Sequence, residues 1–231
     1  MKRYECILFD LDHTLWDYET NSEETLRDLF ERFKVMEKGV TSFRFFLETF
    51  RRVNLQLWDK YDRGLIDQQV IRTERFHKVF YEAGLDDVRF SLEFSADYLR
   101  ELPLKRHLLP EAIDVLDYLH PRYPMTVVTN GFDEIQYTKM TSAGIEKYFR
   151  HVVTSQRAGN KKPSRQIFDF ALKQSGHLPN HAVMIGDNLQ TDIAGARGAG
   201  IDTIYFNPGK VVHAEPVTHQ ICSLKELKSL L

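Results

Sequence analysis

The sequence predicts an α/β protein with a Rossmann-like, doubly wound parallel sheet as its core and an α-helical segment inserted after the first strand. Short apolar runs alternate with amphipathic stretches along most of the chain, which is typical of this class. One long segment breaks the alternation and shows helical periodicity without a strand-like run. The 231 residues are 42% hydrophobic and 28% charged, which is ordinary for a globular protein and excludes collagen-like and disordered classes.

Five apolar runs predict the strands of the sheet. Continuous apolar runs that stop at polar residues are typical of strands buried on both faces, and they cover 6–9, 125–129, 151–154, 182–185 and 203–206. The stretches between them predict helices over 111–119, 132–143, 166–174 and 192–199. Ser223 and Glu226 have capping-box spacing, which predicts a terminal helix.

The inserted segment is predicted to be a separate helical domain. Gly39, Gly64 and Gly84 divide it as glycines at helix ends do, which predicts four or five helices. We therefore expect residues 1–16 and 106–231 to form the core and residues 17–105 to form the insertion.

Charge and cysteine content exclude several classes of function. Lys plus Arg is 31 and Asp plus Glu is 33, a net charge of −2, so no excess of positive charge is available for a nucleic-acid partner. The two cysteines cannot build a disulfide framework. The first apolar run is too short for a signal peptide or a membrane span. We expect a cytoplasmic protein without a membrane partner, as a monomer or weak homodimer.

Polar residues follow the predicted strands where the strands end. Because ligands of open α/β sheets bind beyond the carboxyl ends of the strands, these side chains are expected to converge on one edge. They are Asp10, Asp12, Thr129, Asn130, Lys162, Asp187 and Asp192. Clustered carboxylates repel one another unless a cation neutralises them, and all-oxygen ligands favour Mg²⁺.

The pattern Asp10-x-Asp12-x-Thr14 has two competing interpretations. A calcium loop fails, because Thr14 and Leu15 stand where that loop has Asp and Gly, and Asn21 stands where it has Glu. An Asx-turn or helix cap placed by chance is the other alternative. This alternative is less favoured, because polar residues that could form a site with Asp10 and Asp12 also follow the later predicted strands.

In its motifs the chain resembles the haloacid dehalogenase superfamily of phosphohydrolases. The four signature motifs occur in order: 7–14 (ILFDLDHT), 127–131 (VVTNG), Lys162-Pro163, and Gly186-Asp187 with Asp192 five residues later. The insertion resembles the helical cap of that family in position and character.

The resemblance implies a mechanism. Asp10 would be the nucleophile that forms an aspartyl-phosphate, and Asp12 would be the general acid and then the general base. This double role needs a carboxyl that can hold a proton, which a neighbouring carboxylate would favour. Mg²⁺ would be held by the carboxylates of Asp10 and Asp187 and the backbone carbonyl of Asp12.

The remaining motif residues would bind the substrate. Thr129, Asn130 and Lys162 would contact the phosphoryl oxygens, and Asp192 would order metal-bound water. Lys162 is chosen over Lys161 because it directly precedes proline.

The residues at two motif positions bear on the reaction and on specificity. Asp12 favours phosphate-ester chemistry. In the family that the chain resembles, dehalogenases lack an acid at this position and phosphonatases have a small residue there. His13 departs from the family, which commonly has glycine at this position, and we expect it to line the entrance to the site.

Short matches in the insertion bear on the substrate. Residues 57–64, Arg75-Phe76 and 129–132 resemble bacterial nucleotidases that act on pyrimidine nucleoside 5′-monophosphates. The aromatic residues Phe46, Phe50 and Trp58 are interpreted as packing residues. We expect a nucleoside monophosphatase, with a sugar-phosphate phosphatase and then a phosphoglucomutase-like enzyme as alternatives.

A phospho-accepting signalling domain is the alternative from a different class. Receiver domains also carry an acidic site with Thr or Ser and Lys, but their acceptor aspartate lies mid-chain. A phosphoryl group that persists for minutes would favour signalling over an enzyme.

Overall fold

A computed structural model describes residues 4–231. Its backbone divides into two compact units. One comprises the chain up to Tyr18 together with Arg106–Leu231, and the other comprises Glu19–Lys105.

The first unit is built on a sheet of six parallel strands in the order β3-β2-β1-β4-β5-β6. The strands are β1 (Cys6–Phe9), β2 (Met125–Thr129), β3 (His151–Thr154), β4 (Ala182–Gly186), β5 (Asp202–Phe206) and β6 (His219–Ile221). The first strand lies in the middle, where the order reverses between β2 and β4. The predicted α/β class is confirmed.

Burial explains why the apolar runs form this sheet. Every residue of β1, β2 and β4 is buried, as expected for strands covered on both faces. On one face, Leu8, Val128 and Met184 share a core cluster with Phe168 and Leu172 from a flanking helix.

Most helices of this unit lie close to the predicted positions, but the short helix α7 was not predicted. They are α5 (Ala112–Leu119), α6 (Asp133–Ser142), α7 (Ser155–Ala158), α8 (Arg165–Ser175), α9 (Gly195–Gly198) and α10 (Leu227–Leu230). The predicted capping box of Ser223 and Glu226 is present, and it opens a 3₁₀ turn that runs into α10.

One stretch differs from the predicted helix over 192–199. Leu189–Ala194 is π-helical, and α9 follows it. The Asn188 side chain opens this stretch by accepting hydrogen bonds from the backbone of Gln190 and Thr191. Single π-helical turns occur often at functional sites.

The second unit contains helices with a shared aromatic core. They are α1 (Tyr18–Arg32, which begins in the first unit), α2 (Phe43–Asp62), α3 (Gln68–Glu82) and α4 (Val88–Glu101). Phe46 stacks on Phe80 with ring centroids 5.3 Å apart, and Phe50 stacks on Phe76 at 5.5 Å. Phe46 and Phe50 are buried packing residues, as predicted, whereas Trp58 is only partly buried.

The predicted glycine punctuation is present. Gly39, Gly64 and Gly84 all have positive φ, a conformation that glycine adopts without steric cost. Among residues 4–231, none of the helices combines the length and the hydropathy that a bilayer crossing requires.

Candidate active site

Lys162 joins two carboxylates at the carboxyl edge of the sheet. Its Nζ lies 2.6 Å from Asp10 Oδ1 and 2.6 Å from Asp192 Oδ1. Asp10 directly follows β1, and its backbone N–H donates to the carbonyl of Ile185 in β4. All three side chains are buried, so these ion pairs are shielded from water.

Asp187 lies at the end of β4, and Thr14 holds its carboxylate. Thr14 Oγ1 donates to Asp187 Oδ1 over 3.2 Å. Next to it, Gly186 gives Asp192 room: a Cβ at that position would lie 2.3 Å from Asp192 Oδ2. A side chain on residue 186 would therefore displace a carboxylate of the site.

Burial dominates the electrostatics of this cluster. It raises the pKa of Asp10 well above its usual range; Lys162 lowers that pKa again, and the carboxylates of Asp192 and Asp187 raise it. Burial and then Asp192 raise the pKa of Asp187 to about 7, against the opposing effects of Lys162 and Thr14. The attraction of Asp10 and Asp192 outweighs the lowering effect of burial on Lys162 and keeps its pKa above the ordinary value.

The donor set fits a hard divalent cation. Asp10, Asp187 and Asp192 each place a carboxylate oxygen within 4.8 Å of the others, and oxygen-only ligands suit Mg²⁺. One ammonium does not neutralise three carboxylates. Asp192 already bonds Lys162 and, through Oδ2, the backbone N–H of Asn188 at 3.1 Å. Asp10 and Asp187 would therefore be the carboxylates that hold the ion.

Asn130 and Thr129 fix the backbone around Lys162 and the end of β2. Asn130 Oδ1 accepts from the Lys162 backbone N–H at 2.8 Å, and Asn130 Nδ2 donates to the Lys162 carbonyl at 3.0 Å. Thr129 Oγ1 accepts from the Gly131 N–H at 3.0 Å. The Asn130 amide therefore positions Lys162, and its predicted contact with phosphoryl oxygens stays a prediction.

The partners of Asp12 differ from those expected from the sequence. A neighbouring carboxylate was the expected partner, but Lys139 Nζ lies 2.6 Å from Asp12 Oδ1. Gln136 Nε2 lies 3.4 Å from Asp12 Oδ2. Both partners come from α6, which begins just after the second motif.

His13 occupies the conformation that glycine would adopt easily. Its φ is 63°, in the left-handed region, and its N–H donates to the Trp16 carbonyl over 3.0 Å. The chain therefore keeps a tight turn here although the residue differs from the commonest family pattern. The side chain is exposed, and its ring lies 5.0 Å from that of Tyr18.

The sequence model of the haloacid dehalogenase-like hydrolases matches residues 4–200. The chain belongs to this family. Among its relatives, the pyrimidine 5′-nucleotidase PynA of Streptococcus pneumoniae is 31% identical over 99% of this chain and 95% of its own length. The pyrimidine 5′-nucleotidase YjjG of Escherichia coli is 28% identical over 99% of this chain and 98% of its own.

A solved structure with the same fold comes from Bacillus subtilis. The crystal structure of its HAD-hydrolase YfnB, bound to magnesium, has a TM-score of 0.89 and 26% identity. The match covers 99% of each chain.

In this haloacid dehalogenase-like hydrolase, most predicted site residues meet in space. Asp10, Lys162, Asp187 and Asp192 form one cluster with Thr14, and Asn130 is bonded to the Lys162 backbone. The lysine of the predicted doublet that contacts Asp10 is Lys162.

Lys139 and Gln136 are site residues that sequence reasoning did not single out. Both lie on the buried face of α6, with Ile135 and Met140. Polar residues on an otherwise apolar helix face, just after the second motif, are the signal that could have identified them.

Proposed function

We propose that the protein is a Mg²⁺-dependent phosphomonoester hydrolase that works through an aspartyl-phosphate on Asp10. The observation that carries this proposal is the pairing of the buried Asp10 carboxylate with Lys162 Nζ at 2.6 Å, beside Asp187. A carboxylate at the end of the first strand is thereby placed next to a cation that can bind phosphoryl oxygens.

In the first half-reaction a carboxylate oxygen of Asp10 attacks phosphorus and the bond to the leaving oxygen breaks. Asp12 donates its proton to that oxygen, so the alcohol leaves neutral. Lys162 and the groups at the end of β2, Thr129 and Asn130, balance the charge of the phosphoryl oxygens. When bound, Mg²⁺ adds positive charge that allows an anionic nucleophile to approach an anionic phosphate.

In the second half-reaction water attacks phosphorus of the aspartyl-phosphate. Asp12, now a carboxylate, takes a proton from that water, and the bond between Asp10 and phosphorus breaks. Inorganic phosphate leaves, with Asp10 ionised and Asp12 protonated again.

Pyrimidine nucleoside 5′-monophosphates are the substrates we propose. Two full-length relatives, PynA and YjjG, are named pyrimidine 5′-nucleotidases. The residue matches of the second unit, at 57–64 and Arg75-Phe76, support the same branch. We place the reaction in the cytoplasm.

The test is phosphate release with Mg²⁺ and with EDTA. Uridine and cytidine 5′-monophosphates, purine 5′-monophosphates, sugar phosphates and p-nitrophenyl phosphate form the substrate panel. We expect metal-dependent release, fastest from the pyrimidine nucleotides. Faster release from sugar phosphates would keep the chemistry and refute the nucleotidase assignment. A phosphoryl group that stays on Asp10 for minutes would instead favour signalling.

An Asp12→Asn variant tests the acid and base role in the same assay. We expect a loss of about 10²-fold to 10⁴-fold, the usual contribution of general acid–base catalysis. Asp114→Asn is the matched control, because Asp114 is an exposed aspartate that pairs with Lys228 in the same unit. Equal rates for the two variants would refute the assignment of Asp12.

A further inference from the structure

We propose that Lys139 is a positioning residue that fixes the orientation of the Asp12 carboxylate toward the leaving group. This inference rests on the proposed function and extends it to a residue outside the four motifs. Its basis is the 2.6 Å contact between Lys139 Nζ and Asp12 Oδ1, which joins residues 127 positions apart.

The Lys139 side chain is buried, unlike most lysines. It is 4% exposed, against 24% for the Asp12 side chain that it contacts. Burying an ammonium is costly unless a charged partner and other contacts compensate. A surface pair would hold both side chains loosely, whereas this one confines the lysine.

Aromatic rings fix the other side of the ammonium. Lys139 Nζ lies 4.4 Å from the ring centroid of Trp16 and 5.8 Å from that of Tyr18. Trp16 is fully buried, and its backbone N–H and carbonyl close the turn that follows Asp12 through bonds to Leu11 and His13. The turn that carries the acid therefore also carries the surface on which Lys139 rests.

The two oxygens of Asp12 contact different side chains. Lys139 bonds Oδ1, and Gln136 Nε2 lies 3.4 Å from Oδ2. Because Gln136 and Lys139 are three residues apart on α6, they present donors from one helix face. A carboxylate held at both oxygens has one orientation, which matters because small displacements of a reacting group can cost about 10²-fold in rate.

The dependence of rate on the leaving group separates this role from a merely structural one. The nucleoside alkoxide is a poor leaving group and needs the proton of Asp12, whereas p-nitrophenolate is a good leaving group and departs without protonation. Since kcat/KM reports only steps up to leaving-group release, it isolates the first half-reaction for both substrates. A general loss of structure would lower both values of kcat/KM alike.

The experiment measures kcat/KM for uridine 5′-monophosphate and p-nitrophenyl phosphate in wild type, Lys139→Met and Lys139→Arg, with Mg²⁺. We expect Lys139→Met to lower the ratio of kcat/KM for uridine 5′-monophosphate to kcat/KM for p-nitrophenyl phosphate by about 10²-fold. Lys139→Arg should restore this ratio to within about tenfold of the wild-type value. Lys147→Met is the control, because Lys147 is an exposed lysine 4.9 Å from the ring of Tyr148 and its ratio should not change.

A second variant keeps the inference testable if Lys139→Met does not fold. Gln136→Leu removes the weaker contact to Asp12 and should lower the same ratio by about threefold to tenfold. A ratio unchanged in every folded variant, with an active wild type, would overturn the role of Lys139 and leave the proposed function intact. A wild type inactive on both substrates would overturn the proposed function and this inference with it.

Discussion

Replacing Lys162 with methionine would remove the ammonium from the centre of the acidic cluster. The change keeps the approximate length of the side chain but breaks the contacts to Asp10 and Asp192, both 2.6 Å. The side chain of Lys162 is 3% exposed, that of Asp10 is 10% exposed and that of Asp192 is 1% exposed. Water therefore cannot replace the lost ammonium. Breaking a buried pair by removing one ion costs about 3–5 kcal/mol.

That loss is large enough to measure by thermal unfolding in EDTA. At about 2–4 °C per kcal/mol for a chain of this size, we expect the Tm to fall by roughly 6–20 °C. The deficit should increase from acidic to alkaline pH. Burial and the neighbouring carboxylates already raise the pKa of Asp10, so at low pH a proton on Asp10 compensates for the missing ammonium.

Lys228→Met is the matched control for this experiment. Lys228 Nζ pairs with Asp114 at 2.7 Å in the same unit, but the two side chains are 29% and 61% exposed. Exposed pairs contribute at most about 1 kcal/mol. If Lys162→Met were no less stable than Lys228→Met, the buried cluster would not have the electrostatics described above.

Three further predictions concern the same edge of the sheet. Asp10→Asn should lower phosphate release by at least about 10³-fold with the fold intact by circular dichroism, and retained activity would remove Asp10 as the nucleophile. Gly186→Ala should cost about 1–3 kcal/mol in urea unfolding, because the new Cβ would lie 2.3 Å from Asp192 Oδ2. Gly198→Ala is the control, because a Cβ at position 198 would lie in open space, and it should be neutral or stabilising by about 0.5–1 kcal/mol. Equal losses of stability in the two alanine variants would show that Asp192 does not require glycine at position 186. Without metal, the pKa of Asp187 is about 7 in the fold, whereas the ordinary pKa of an aspartate is 3.8. The proton on Asp187 therefore stabilises the fold at low pH, and this contribution is lost as the pH rises from 3.8 through about 7. Mg²⁺ must displace this proton, and the pKa of Asp10, the other carboxylate that would hold the ion, is also raised, so the calorimetric affinity should fall by at least about tenfold per pH unit below 7. Binding that does not depend on pH would contradict this prediction.

The sheet was largely predictable, because burial on both faces leaves a continuous apolar run in the sequence. The first five strands follow such runs. The sixth, His219–Ile221, does not: His219 and Gln220 are exposed at the edge of the sheet, and three residues leave no periodic signal. The π-helical stretch Leu189–Ala194 was also missed, because apolar spacing indicates a helix without distinguishing a π-helical turn from an α-helical one.

The acidic cluster was predictable for a different physical reason. The ends of parallel strands meet at one edge, so Asp10 and Asp187 had to approach each other once the strands were assigned. Lys139 was not found this way, because it reaches Asp12 from the middle of a helix. The contacts of a helix face depend on how the helix packs against the rest of the protein, and the sequence of the helix alone does not determine that packing.

Direct detection of the phosphorylated side chain tests whether Asp10 is the nucleophile. Wild-type protein is quenched during turnover of uridine 5′-monophosphate with Mg²⁺ and treated with borohydride, which reduces an aspartyl-phosphate to homoserine. Peptide mass spectrometry then identifies the modified position, with Asp10→Asn as the control. We expect homoserine at position 10 in the wild type alone. Continued turnover with homoserine at another aspartate, or at none, would contradict it.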